Sequence, residues 1–133
     1  MYLCGVQQLI DRIFSIKNQR DFDLVALEVY RFQREHVPVY KQFVDLLGKP
    51  EPQTVSDIPF LPISFFKTHA IIAEGMQPQT VFKSSGTTGM ERSQHLVADT
   101  SLYERSFLPT YAHFIGPLEN QLIFALLPNY VEQ

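Results

Sequence analysis

The six consecutive residues Ser84-Ser85-Gly86-Thr87-Thr88-Gly89 constrain this chain more than any other feature. They follow a strand-like run, Thr80-Val81-Phe82-Lys83, and put four hydroxyls and two glycines into six positions. Glycine has no Cβ, so the chain can turn sharply there and pass close to a ligand. Successive backbone N–H groups beside short hydroxyl side chains form a concave site suited to phosphate oxygens. Arg92, three residues beyond Gly89, supplies a cation for the same site. The plainer alternative is a flexible Ser/Thr/Gly linker or a simple hairpin turn.

The run is not a Walker A loop, which needs Gly, four residues and then Gly-Lys-Ser/Thr. From Gly86 the chain reads Gly-Thr-Thr-Gly-Met-Glu-Arg-Ser. The three spaced glycines of a dinucleotide-binding turn are also missing. The hexamer resembles the phosphate loop of the adenylate-forming enzymes, the superfamily of acyl-CoA synthetases, peptide-synthetase adenylation domains and luciferases. Arg92 stands where that signature usually has Lys, which keeps the charge but turns a point donor into a planar fork. A second stretch, Ile58-Pro59-Phe60-Leu61-Pro62-Ile63-Ser64-Phe65-Phe66-Lys67-Thr68, looks like the segment ahead of the loop in LuxE-type acyl-protein synthetases. Phenylacetate-CoA ligases are the related neighbours. Phe124-Ala125-Leu126-Leu127-Pro128 is similar to a strand leading to a substrate-side loop.

The resemblance is strongest at residues 79–92 and looser over the rest of 55–133. It implies ATP-dependent activation of a fatty or aryl carboxylic acid as its adenylate, with Mg²⁺ bridging phosphates. Acyl transfer to a thiol, of the enzyme, of an acceptor protein or of CoA, would follow. Ser84, Ser85, Gly86, Thr87, Thr88, Gly89 and Arg92 are then the ATP-binding residues; no catalytic residue and no metal ligand is assigned. It further implies that this chain is the N-terminal portion of a longer enzyme, inactive on its own. The alternative class is a non-catalytic phosphate- or nucleotide-binding or interaction module.

The net charge of −3, without any Lys/Arg cluster, argues against a nucleic-acid surface. A single cysteine excludes an internal disulfide framework and suits a reducing cytosol. No apolar run approaches the roughly 20 residues that span a bilayer. The N-terminus lacks a signal-peptide pattern, so a cytoplasmic location is expected. Apolar content of 45% with 19% charged residues suits one ordinary globular domain.

Residues 1–48 read as helical. Leu9, Ile10, Ile13 and Phe14 make one stripe; Asp21 is a plausible N-cap for a second helix carrying Leu24, Leu27, Val29, Tyr30 and Phe32. Pro38 interrupts that helix or starts a third, with face Tyr40, Phe43, Val44 and Leu47, closed by Gly48. Past a proline-bearing connector, residues 53–133 change texture. Ile63–Phe66, Ala70–Ala73, Gln79–Lys83 and His95–Val97 are short β-prone runs, and Glu74-Gly75-Met76-Gln77-Pro78 is a turn. Asp99 or Thr100 caps a last helix containing Pro109, ended by Gly116-Pro117, and Gln121–Leu127 is a final strand. The expected class is α/β or α+β: helices, then a partial mixed sheet with a packed helix, sharing one core.

Other candidates are weaker. Lys67 either lines a pocket or snorkels at an edge. His36, His69, His95 and His113 lack metal-ligand spacing, although His69 and His95 flank the loop region. The acylated cysteine of LuxE-type enzymes lies far toward their C-terminus, so that role does not pass to Cys4, which reads as a small apolar residue. Phe60, Phe65 and Phe66 suit the wall of an acyl channel and equally suit a core. An open last strand would expose apolar surface and favour self-association.

Overall fold

The computed structural model describes residues 2–85 and 92–124, with side chains from Gly5 onward. Gly86, Thr87, Thr88 and Gly89, the side chain of Cys4, and the 125–127 part of the expected final strand lie outside the described residues. Two compact units divide the chain, residues 1–98 and 99–133.

Three helices open the first unit: α1 (Tyr2–Phe14), α2 (Gln19–His36) and α3 (Pro38–Leu47). The start of α2 corrects the Asp21 cap. Asn18 is the N-cap, its side-chain oxygen accepting from the Asp21 amide at 3.0 Å. The Asp21 carboxylate in turn accepts from the Lys17 amide at 3.2 Å and the Asn18 side-chain amide at 3.0 Å. Asp21 therefore closes a reciprocal cap from the third helical position, where a carboxylate also meets the positive end of the helix. Arg12 of α1 pairs with Glu28 of α2.

Pro38 starts α3 at a position where its missing N–H would have had no partner. Gly48 ends the helix in the left-handed region at φ 60°, as a C-terminal glycine can without strain. Tyr30 of α2 with Tyr40 and Val44 of α3 form the buried centre, and Val37, Phe43, Ile58 and Leu61 pack around it. The two tyrosine rings meet edge to face at 6.2 Å. Tyr40 donates its hydroxyl proton to the Pro59 carbonyl at 2.7 Å, tying the proline-bearing connector to the helices. Both the 1–48 helices and the segment after them thus contribute to this core. At its rim Arg34 donates to Glu51 at 2.7 Å and to Asp45 at 3.3 Å.

Two expected strands are not strands. At Ile63–Phe66 the chain forms a turn entering the single-turn helix α4 (Phe65–Thr68). Phe65, Phe66 and Lys67 donate to Pro62, Ile63 and Ser64 at 3.0, 3.2 and 3.0 Å. Pro62, just ahead of the run, opens a helical turn whose carbonyl accepts from the Phe65 amide, so the amides of 65–67 are spent locally rather than in a ladder. Ala70–Ala73 has no strand partner among the described residues. It leads into a turn closed by Met76 N–H on the Ala73 carbonyl at 3.1 Å, with Gly75 at φ 76°. That positive φ is what the third position of a type II turn requires.

The strands that form are β1 (Thr80–Lys83) and β2 (Gln94–Val97), an antiparallel hairpin. Helices with a small sheet confirm the mixed α and β class; the described sheet is this hairpin rather than a larger mixed one. In the second unit, Asp99 caps α5 (Thr100–Phe114) by accepting from the Ser101 amide at 2.9 Å, and α5 runs through Pro109. Gly116 follows at φ 115°. Residues 121–124, the described part of the expected final strand, have no ladder partner among the described residues.

Candidate functional site

The register of the hairpin pairs Thr80 with Val97, Val81 with Leu96, Phe82 with His95 and Lys83 with Gln94. Side chains alternate faces along a strand. Thr80, Phe82, His95 and Val97 therefore share one face, and Val81, Lys83, Gln94 and Leu96 the other.

One residue beyond the last ladder pair, Ser84 and Ser93 face each other. The Ser84 amide donates to the Ser93 carbonyl at 3.0 Å, and the Ser93 amide donates to Ser84 Oγ at 3.0 Å. Ser93 is buried while Ser84, Ser85 and Arg92 are exposed. The Ser84 amide expected to face a ligand is thus paired inside the hairpin. The segment carrying the hexamer leaves from this neck. Each serine of the neck is preceded by an exposed cation, Lys83 on one strand and Arg92 on the other. Two cations so close to a hydroxyl-rich segment favour an anionic ligand. Lys83 was readable in the sequence only as the end of a strand; the pairing of Ser84 with Ser93 sets it beside the neck.

The hairpin is joined to the 58–68 segment through aromatic contact. Phe66 of α4 stacks on His95 of β2, ring centres 4.5 Å apart and planes at 21°. Phe65 points elsewhere, meeting Phe43 edge to face at 5.8 Å and stacking on His69 at 4.9 Å. His69 also shares a 2.8 Å hydrogen bond with the Thr68 hydroxyl. His36 and His113 lie against Phe32 and Phe114. Each histidine is a partner of a phenylalanine, and among the described residues no three His, Cys, Asp or Glu side chains are grouped to hold a metal ion.

Phe66 also lines a cavity of about 690 Å³ within the first unit. Ile13 from the end of α1, Val25 and Val29 from α2, and Ile58 and Leu61 from the connector form much of its wall. Phe60 lines it too; Phe65 and Lys67 do not, and Lys67 is exposed. Among the described residues no charged side chain borders the cavity. Its polar groups are Tyr30, Tyr40 and Gln33. The Tyr40 hydroxyl is committed to Pro59, and that of Tyr30 accepts from Arg34 at 3.3 Å. Burial, then the nearby Tyr30, pushes the Tyr40 phenol up to about 12. A space of this size and polarity suits an uncharged apolar group. Sequence reasoning missed the cavity as such, because apolar spacing reads alike for a packed core and a lined hollow.

Among the described residues no helix is long and apolar enough to cross a membrane. No family model, curated protein or solved structure matches the chain.

Proposed function

We propose that this chain belongs to an ATP-dependent carboxylate-activating enzyme similar to the LuxE-type acyl-protein synthetases, of which it forms the N-terminal portion. The carboxylate oxygen of a fatty or aryl acid attacks the α-phosphorus of ATP. The bond to the bridging oxygen breaks, pyrophosphate leaves, and the acyl-adenylate then passes its acyl group to a thiol of a protein or of CoA. Ser85, Gly86, Thr87, Thr88, Gly89 and Arg92 serve the triphosphate, and Ser84 stands at the base of their segment. Hydroxyls, backbone amides and a cation aimed at the departing pyrophosphate lower the barrier as its charge grows. Mg²⁺ would neutralise part of that charge.

The observation carrying this reading is that the hydroxyl- and glycine-rich hexamer joins the strands of a hairpin, with Lys83 and Arg92 each one residue from its neck. The cavity gives secondary support. Its walls accept an apolar tail and carry no cation among the described residues to pair with a carboxylate, which suits an acid held with its charged end outside.

The test is exchange of labelled pyrophosphate into ATP by the full-length protein, with Mg²⁺ and a panel of carboxylic acids graded in apolar size. Acid-dependent exchange is expected, strongest for acids with an apolar tail. If no acid supports exchange, the proposal fails. ATP binding seen by calorimetry without exchange would instead identify a phosphate-binding module.

A further inference from the structure

In a regular antiparallel pair that is hydrogen-bonded, both residues exchange N–H···O=C bonds. Ser84 and Ser93 make only one of these. The Ser84 amide reaches the Ser93 carbonyl at 3.0 Å, but the Ser93 amide is taken by Ser84 Oγ, also at 3.0 Å. A serine hydroxyl competing with the backbone in this way ends a ladder, because it takes the amide that would have continued the pairing. The ladder indeed stops at Lys83 and Gln94. The Ser93 residue is buried, so its amide has little access to water as a substitute acceptor.

We infer that Ser84 is a positioning residue rather than a phosphate ligand: its hydroxyl clasps the Ser93 amide and fixes the directions in which Ser85 and Arg92 leave the hairpin. Its consequence for catalysis rests on the carboxylate-activating reading; the clasp itself does not. Ser85 remains on the ligand side of the clasp. A clasp at the neck holds Ser84 and Ser93 together. Ser93, just ahead of β2, lies two residues from His95, whose ring stacks on Phe66 of α4.

The test uses residue-resolved amide hydrogen exchange on the full-length protein without ligand, comparing S84A, S84C, S84T and S85A. Removing one hydrogen bond of ordinary net strength should speed exchange at Ser93 roughly two- to tenfold in S84A. S84C, of similar size but a weak acceptor, should behave like S84A. S84T keeps the oxygen and should restore the wild-type rate, and S85A should leave Ser93 unchanged. In pyrophosphate exchange, S84A should lower kcat more than it raises KM for ATP, with recovery in S84T, as expected when a loop is misplaced rather than a contact deleted. Unchanged Ser93 exchange in S84A and S84C overturns the assignment. Weakened binding of inorganic pyrophosphate with unchanged Ser93 exchange overturns it too, because that pattern marks a direct ligand. If Ser93 responds as stated while no acid supports pyrophosphate exchange, the clasp stands and the enzymatic proposal falls.

Discussion

Replacing Tyr40 by Phe removes one oxygen from the most buried part of the molecule and leaves the rest of the ring in place. The ring keeps its edge-to-face contact with Tyr30 at 6.2 Å. What disappears is the 2.7 Å hydrogen bond to the Pro59 carbonyl. A net hydrogen bond contributes about 0.5–1.5 kcal/mol, and a buried acceptor left without a donor costs about 1–3 kcal/mol. Pro59 is itself buried, so the loss should be about 1–2 kcal/mol. Each kcal/mol corresponds to about 4–8 °C in Tm for a unit of this size. Tyr40→Ala, which also empties the ring's volume, should cost about 3–5 kcal/mol. Urea unfolding at neutral pH measures both. The pH dependence provides a second check. The phenol is pushed up to about 12 in the folded state from an ordinary value near 10. The folded protein therefore holds this proton longer than the unfolded chain does. The contribution is fully present below about pH 10 and is lost as pH rises through about 12. The gap between wild type and Tyr40→Phe should accordingly shrink over that window. The reasoning is refuted if Tyr40→Phe falls within the ~0.5 kcal/mol typical of surface substitutions, or if the gap widens with alkali.

Three smaller perturbations test local features. Asn18→Ala should destabilise by about 1 kcal/mol through loss of the α2 cap, whereas Asn18→Ser should be nearly neutral; chemical unfolding monitored by circular dichroism separates them. A Cβ added at Gly48 would meet nothing within 4 Å, so Gly48→Ala should cost only the left-handed backbone penalty, about 1–2 kcal/mol, and Gly48→Asn less. Hydrogen bonds from the Thr54 hydroxyl and then the Thr54 amide hold the Asp57 carboxyl below its usual range. That stability is present above the ordinary carboxylate pKa near 4 and is lost as pH falls through the lower folded value. Asp57→Asn should flatten this acid limb in a pH series of thermal melts.

Much of the fold was legible because helices write themselves into sequence at fixed spacing. Tyr40 and Val44, one turn apart, mark the buried face of α3, and Gly48 marks its end. The capping error at Asp21 has a definite source. A carboxylate at the third helical position and one at the cap look alike until the preceding Asn18 is read as its partner. The β-prone residues of Ile63–Phe66 are drawn into a local turn behind Pro62, and Ala70–Ala73 ends in the turn at Gly75 without a ladder partner among the described residues, outcomes that β propensity does not carry. The hairpin around the hexamer was legible from its flanking β-prone runs. The role of the Ser84 hydroxyl was not, since nothing in Ser84-Ser85 distinguishes the residue that clasps a neighbouring strand from one that faces solvent. Only the register, which sets Ser84 opposite Ser93, makes that choice.

The site's unity depends on Phe66. One aromatic side chain can border two environments because its faces and edges are separate surfaces, and Phe66 both lines the apolar cavity and stacks on His95. His95 pairs with Phe82 in β1. Cavity wall and hairpin face therefore meet at Phe66, with the hydroxyl clasp two residues along the chain from His95. A flexible linker would need no such support. Under the proposed function, a segment holding a multiply charged ligand near the end of an apolar tail does need it, since misplacement by an ångström slows group transfer. The 58–68 segment and the hairpin of β1 and β2, separated in sequence by the turn at Gly75, meet where Phe66 stacks on His95. That contact favours reading them as parts of one device rather than as two coincidences of composition.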